Sequence, residues 1–265
     1  MTSLFKPVEL VNTERIELED AQRISINYIV ERIDIHVTDG DVLVLKEYLN
    51  DSDPKLFADI TTGANGITIS HGERKRLFSP LRGYVEAYLP RSYYGVLNVK
   101  TVSNHIRVYG RLVVGELALS TTSGRIELES VTCGTAVLST VSGGIEAESL
   151  RALCTAHSTS GAIRIGAVAG SGEFKTVSGG IELPYHAVTG DITVGTVSGS
   201  IRLHVPATSS FTVDAHSISG SIMVPFHGEF TGGKHALRGT VGNGAQTNIR
   251  LSSVSGRMEV LPLVR

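Results

Sequence analysis

A serine-centred repeat constrains this chain more than any other feature. Thr-Val-Ser-Gly stands at 140–143, 176–179 and 196–199, and aligning on its serine extends the pattern to Ser103, Ser123, Ser142, Ser160, Ser178, Ser198, Ser219 and Ser255. Successive copies lie 20, 19, 18, 18, 20, 21 and 36 residues apart. A period near 20 marks a solenoid, in which each unit is too small to bury its apolar face alone and stacks on its neighbours.

The alignment columns predict the shape of one turn. Two residues before the serine stand Thr101, Thr121, Thr140, Ser158, Thr176, Thr196, Ser217 and Ser253; four before it stand Val99, Leu119, Leu138, Ala156, Phe174, Val194, Ala215 and Leu251. Alternation by two puts both columns on one face of a strand, and stacking turns each into an interior ladder. Three residues past the serine the register restarts with Ile106, Ile126, Ile145, Ile163, Ile181, Ile201, Ile222 and Met258. Each turn therefore reads as strand, tight glycine corner, strand, looser corner. A positive φ is expected at Gly143, Gly161, Gly179 and Gly199. The fold expected is all-β, a single-stranded β-solenoid of about 20 residues per turn.

Eight equivalent serines with no recurring His or Asp partner read as structural hydroxyls; a nucleophile is needed once, beside a base. No catalytic residue is assigned. The outward column Arg107, Glu127, Glu146, Arg164, Glu182 and Arg202 alternates in sign at four of its five steps, as a register-holding surface ladder would.

Residues 1–95 lack the repeat. Segments such as "RIDIHVT", "GITIS" and "GYVEAYLP" read as strands of a hairpin-rich region that caps the coil, with turns at Asp39-Gly40 and Asn65-Gly66. Residues 96–265 carry the solenoid, with a Gly-rich insertion at 225–246. This insertion, with Phe226, Phe230 and Leu237, is expected to cover the C-terminal end of the coil, helped by Pro262 on the final edge. Arg74, Lys75, Arg76 and Arg82 in a loop form a candidate docking patch, and Tyr84 and Tyr88, on the face opposite Val85 and Ala87, are either packed across strands or a sugar platform.

A formal charge of −2 supplies no global field for nucleic acid or an anionic membrane, and none is expected as a partner. Neither a signal-peptide run nor an apolar stretch of about 20 residues occurs, so no direct membrane insertion and a cytoplasmic location are expected. Cys133 and Cys154 match no metal or redox spacing, and the nine histidines show no ligand pattern; no metal or cofactor is assigned.

The order "ISINYIVERIDIHVTDGDVLVLKEY", "YVEAYLPRSYYGVLNVKTVSNHIRV", serial T-x-S-G-x-I copies and a closing "GTVGNGAQTNIRLSSVSGRMEVL" resembles the bacterial toastrack domain family, whose members carry the provisional label of adhesins. The resemblance covers roughly Ile24 to Leu261. It implies a stacked β-sheet coil without enzymatic activity, linked in some members to envelope stress signalling in company with membrane partners. The leading expectation is a non-enzymatic scaffold for a protein partner, membrane-associated in an envelope response. The alternatives are a carbohydrate- or surface-binding adhesin, resting on exposed Tyr84, Tyr88, Tyr93 and Tyr94, and a polysaccharide-active β-helix enzyme.

Overall fold

A computed structural model describes residues 6–64, 66–73 and 81–263. They form an all-β, β-solenoid-like molecule whose strands all belong to one hydrogen-bonded sheet wound around an apolar core. The first strands are β1 (Glu9–Ile16), β2 (Arg23–Asn27), β3 (Arg32–Thr38), β4 (Leu43–Leu49), β5 (Asp59–Gly63), β6 (Gly66–Ser70) and β7 (Gly83–Pro90). The serine repeat supplies β8 (Val96–Lys100), β9 (Ile106–Val113), β10 (Glu116–Thr121), β11 (Ile126–Thr140), β12 (Ile145–Ser158), β13 (Ile163–Ile165), β14 (Val168–Thr176), β15 (Ile181–Thr196), β16 (Ile201–Pro206), β17 (Phe211–Ser217) and β18 (Ile222–Met223). A hairpin of β19 (Gly228–Gly232) and β20 (Ala236–Val241) precedes β21 (Thr247–Ser253) and β22 (Met258–Leu263). In β11, β12 and β15 one strand runs through the looser corner without a break.

The strands stack in parallel with equivalent residues in register: Ile126 lies beside Ile106 and Ile145, and Thr140 beside Thr121 and Ser158. Thr101, Thr121, Thr140, Ser158, Thr176 and Thr196 are all buried, as the two-residue alternation predicts. Each of the last five hydroxyls is used twice. Thr176 Oγ1 donates to the Gly161 carbonyl of the preceding turn (2.9 Å) and accepts from the Gly179 N–H of its own (3.1 Å); Thr140 and Thr196 repeat this with their own glycines. The hydroxyl that closes each corner is therefore the one two residues before the serine. The serine itself faces solvent in every copy.

The corner glycines correct one expectation. Positive φ among the described glycines occurs at Gly66, Gly110, Gly170, Gly232, Gly242 and Gly244, and at none of Gly143, Gly161, Gly179 or Gly199. Glycine is required there by crowding: a Cβ on each would fall within 3.0 Å of the carbonyl of the glycine one turn back, Gly161 on Gly143 and Gly179 on Gly161. The first copy accepts Asn104 because its side-chain amide donates to the Val30 carbonyl (3.2 Å), filling the place of a preceding repeat.

Chain order and spatial order part company at both ends. At the start, β2 and β3 lie directly on β8 and β9, while β6 and β7 lie outside them, so two further layers precede the serine repeat. The β5–β6 pairing brackets a hairpin between Gly63 and Gly66; Asn65 itself lies outside the described residues. Asp39-Gly40, by contrast, is no hairpin. After it β4 crosses to the far side of β7, pairing antiparallel with β7 and β1, because the side of β3 it would have used is taken by β7. At the other end β21 and β22 slot between β15/β16 and β17/β18. Pro262 therefore sits beside Val205 in a strand flanked by β16, not on the outermost layer. The outermost strand of the repeat is β17, and the insertion hairpin covers it: β20 pairs antiparallel with β17, and β19 with β20. Phe226 meets Phe211 edge to face (5.2 Å), and Phe230 and Leu237 pack on the same core.

Candidate functional site

Two outer features of the coil are built by its periodicity. The first runs along the tight corners. Because each corner threonine turns inward, the residue after it turns outward, which inverts the usual placement of polar and apolar side chains. Backbone bonds order this line as Ile29, Val102, Thr122, Val141, Thr159, Val177, Val197, Val254 and Ile218. Its aliphatic members are 37–46% exposed, and Ile218 is 76% exposed. The corner valines were not singled out from sequence, although the Thr-Val-Ser-Gly repeat carries the signal: an inward Thr forces its neighbour outward.

The second feature is the outer face of the strands that follow the corner. The charge ladder forms there: Arg107 Nε binds Glu127 (2.6 Å), Arg164 meets Glu146 (3.8 Å), and Arg202 meets both Glu182 (3.7 Å) and Glu259 (3.3 Å), the last contributed by the intercalated β22. Glu127 and Glu146, adjacent in register, are the one like-charged step among the six predicted residues. Along this ladder an open groove of about 750 Å³ runs across β9, β11, β12, β13 and β15, lined by Arg107, Glu127, Glu146, Arg164 and Glu182 together with Tyr109. A register shift at Leu128/Ser130 shapes one wall, where Gly110 (φ +82°) donates its N–H to Glu129 (2.6 Å).

Of the sequence-proposed binding residues, Arg74, Lys75 and Arg76 lie outside the described residues. Arg82 leads into β7; its backbone N–H donates to Asn50 Oδ1 (2.9 Å) and its guanidinium to the Lys6 carbonyl (3.1 Å). Tyr84 and Tyr88 share one face of β7, with Glu86 between them. Each has both ring faces covered. Tyr84 stacks on Tyr48 (4.4 Å) and carries Arg32 (4.6 Å); Tyr88 stacks on His36 (5.0 Å) and carries Lys46 (4.6 Å). Both Tyr48 and Tyr88 donate to Glu86, and desolvation together with that hydrogen bond pushes the Tyr88 hydroxyl up to about 12. Tyr93 is buried, with its hydroxyl on the Val96 carbonyl (2.8 Å), and Tyr94 is exposed. The aromatic that reaches the groove is Tyr109, stacked on His36 at 4.7 Å and nearly parallel to it. In "IRVYG" it shares the outward parity of Arg107, the signal by which sequence could have found it.

The described residues thus form a stacked all-β coil with an exposed corner line and an outer groove. The chain belongs to the Toastrack DUF4097 family, whose sequence pattern matches residues 15–261. A search of curated proteins finds no match. Among solved structures it is similar to a protein of Parabacteroides distasonis with the working designation lipid-binding protein (15% identity, 94% of this chain and 96% of that one, TM-score 0.54). It is also similar to one of Bacteroides fragilis with the working designation adhesin (15% identity, 94% and 96%, TM-score 0.51). At such identities the likeness concerns the fold. Among the described residues no helix is long and apolar enough to cross a membrane.

Proposed function

We propose that this chain is a non-enzymatic, single-stranded β-solenoid of about 20 residues per turn that acts as a scaffold for a protein partner, a membrane-associated one in a cell-envelope response. The turn length is supported by the register pairs Ile126/Ile145 and Ile181/Ile201. The observation that carries the scaffold reading is the corner line. Nine outward positions at about 4.8 Å make a continuous, largely aliphatic strip of about 38 Å. Hydroxyls would suffice if the corner needed only solvent-facing residues, as Thr122 and Thr159 show, yet most positions are Val or Ile. A partner with an apolar strip of matching length would bury these side chains at about 25 cal/mol per Å².

A photo-cross-linking residue at Val177, in the native host, tests this. The reading expects one discrete membrane-associated product, lost when Val141, Val197 and Val254 are changed to Lys and not formed from a probe at Ser252. Cross-links only between copies of the chain, or the same products from Ser252, would overturn it.

A further inference from the structure

The groove beside Tyr109 shares no residue with the corner line and needs its own account. We propose that it binds a linear oligosaccharide whose sugars carry hydroxyls and protonated amines. The groove crosses five strands, about 19 Å at about 4.8 Å per strand, which suits an extended chain rather than a compact molecule. It lies on the face of a sheet whose backbone groups are already paired between turns, so it presents no edge to which a peptide strand could add. Recognition is left to the outward side chains, carboxylates that accept from hydroxyl and amine groups and one aromatic wall, because Val108, Ala147 and Ile165 turn into the core.

Tyr109 supplies that wall. His36 covers one face of its ring, and Tyr88 backs His36, so the three rings form a rigid stack. The opposite face of Tyr109 looks towards β11, whose residue at this level is Glu129 and not another ring. An aromatic face held in this way suits the apolar C–H face of a sugar, a contact that Tyr84 and Tyr88 cannot offer because both of their faces are occupied.

Charge selects among sugars. Five Glu and two Arg line the groove. Arg107 is held by Glu127 and Arg164 lies near Glu146, while Glu129 accepts from the Gly110 amide. Glu148, exposed on β12 and next to Ala147 in the groove lining, is left to meet a ligand amine. A uronate-bearing chain would place like charges against this excess of carboxylates and be rejected.

Calorimetric titration of the whole chain with a glucosamine tetramer, a galacturonate tetramer and tetralysine tests the assignment. The glucosamine tetramer should bind saturably and the galacturonate tetramer should not. Tyr109→Ala should weaken binding by about tenfold, and Glu148→Gln should weaken it by a smaller factor. No saturable binding of the glucosamine tetramer overturns the proposal. So does tetralysine binding equally well and surviving Tyr109→Ala, since charge alone would then suffice. Should Tyr109→Ala fail to fold, Glu148→Gln, at an exposed position, carries the test: unchanged affinity overturns the role of the amine. None of these outcomes bears on the corner line, whose cross-linking test is separate.

Discussion

Replacing Thr176 with Val keeps the shape of a buried side chain and removes only its hydroxyl. Two bonds go with it, one to the Gly161 carbonyl (2.9 Å) and one from the Gly179 N–H (3.1 Å), at a site 5% exposed. Each bond is worth about 1 kcal/mol net, and stranding a buried amide and carbonyl adds desolvation, so the cost should be about 2–4 kcal/mol. Thr176→Ser is the control. Ser158 occupies the same column naturally and makes both bonds, at 2.9 and 2.8 Å, so this variant should lose only a methyl group, about 1 kcal/mol. Val177→Ser, one residue on but facing solvent, should cost less still. Urea midpoints report the global effect. Native-state hydrogen exchange reports the local one: the Gly179 amide should lose protection by about 30- to 1,000-fold in Thr176→Val and little in Thr176→Ser. Equal stability and equal protection in the Val and Ser variants would show that the hydroxyl ladder does not hold the corner.

Gly179→Ala should destabilise by about 2 kcal/mol or more although its φ is ordinary, because the new Cβ meets the Gly161 backbone, whereas Gly233→Ala, with open space around it, should be near neutral; similar melting points would refute the crowding account. Burial pushes the Cys133 thiol up to about 11 and Cys154 up to about 12. A raised thiol pKa favours the neutral folded form, so its contribution is complete below the unfolded value of about 8.5 and is lost as pH climbs through about 11 to 12. Both thiols should therefore resist a thiol reagent at pH 8 until the chain unfolds, and labelling of the folded protein at the rate of a free thiol would contradict this. Deleting Phe226 to Asn243 bares the β17 edge and should give concentration-dependent assemblies in sedimentation with β content retained; a variant that sediments like the parent at every concentration would show that the hairpin is not a cap.

The serine repeat by itself determined the layers and their faces. A two-residue alternation settles which side chains point inward, and a column of hydroxyls such as Thr140, Ser158 and Thr176 can be tolerated inside only if something bonds them, which the neighbouring glycines do. The lateral charge pairs followed from the same register. What only the tertiary structure decided was which layer lies on which. Every repeat presents nearly the same upper and lower surface, so the edge of β15 accepts β21 as readily as β17, and no residue in Thr176 to Leu203 names its neighbour. Loop lengths and end caps settle the matter: the hairpin needs the free edge of β17, and that leaves the final repeat to slot inside. The same indifference hid the placement of β6 and β7 outside β2 and β3, and with it the true path after Asp39-Gly40. The corner glycines and Tyr109 were obscured for a related reason. Their roles are set by an atom one turn away, the carbonyl of Gly161 or the ring of His36, and such a neighbour exists only once the chain has coiled back on itself.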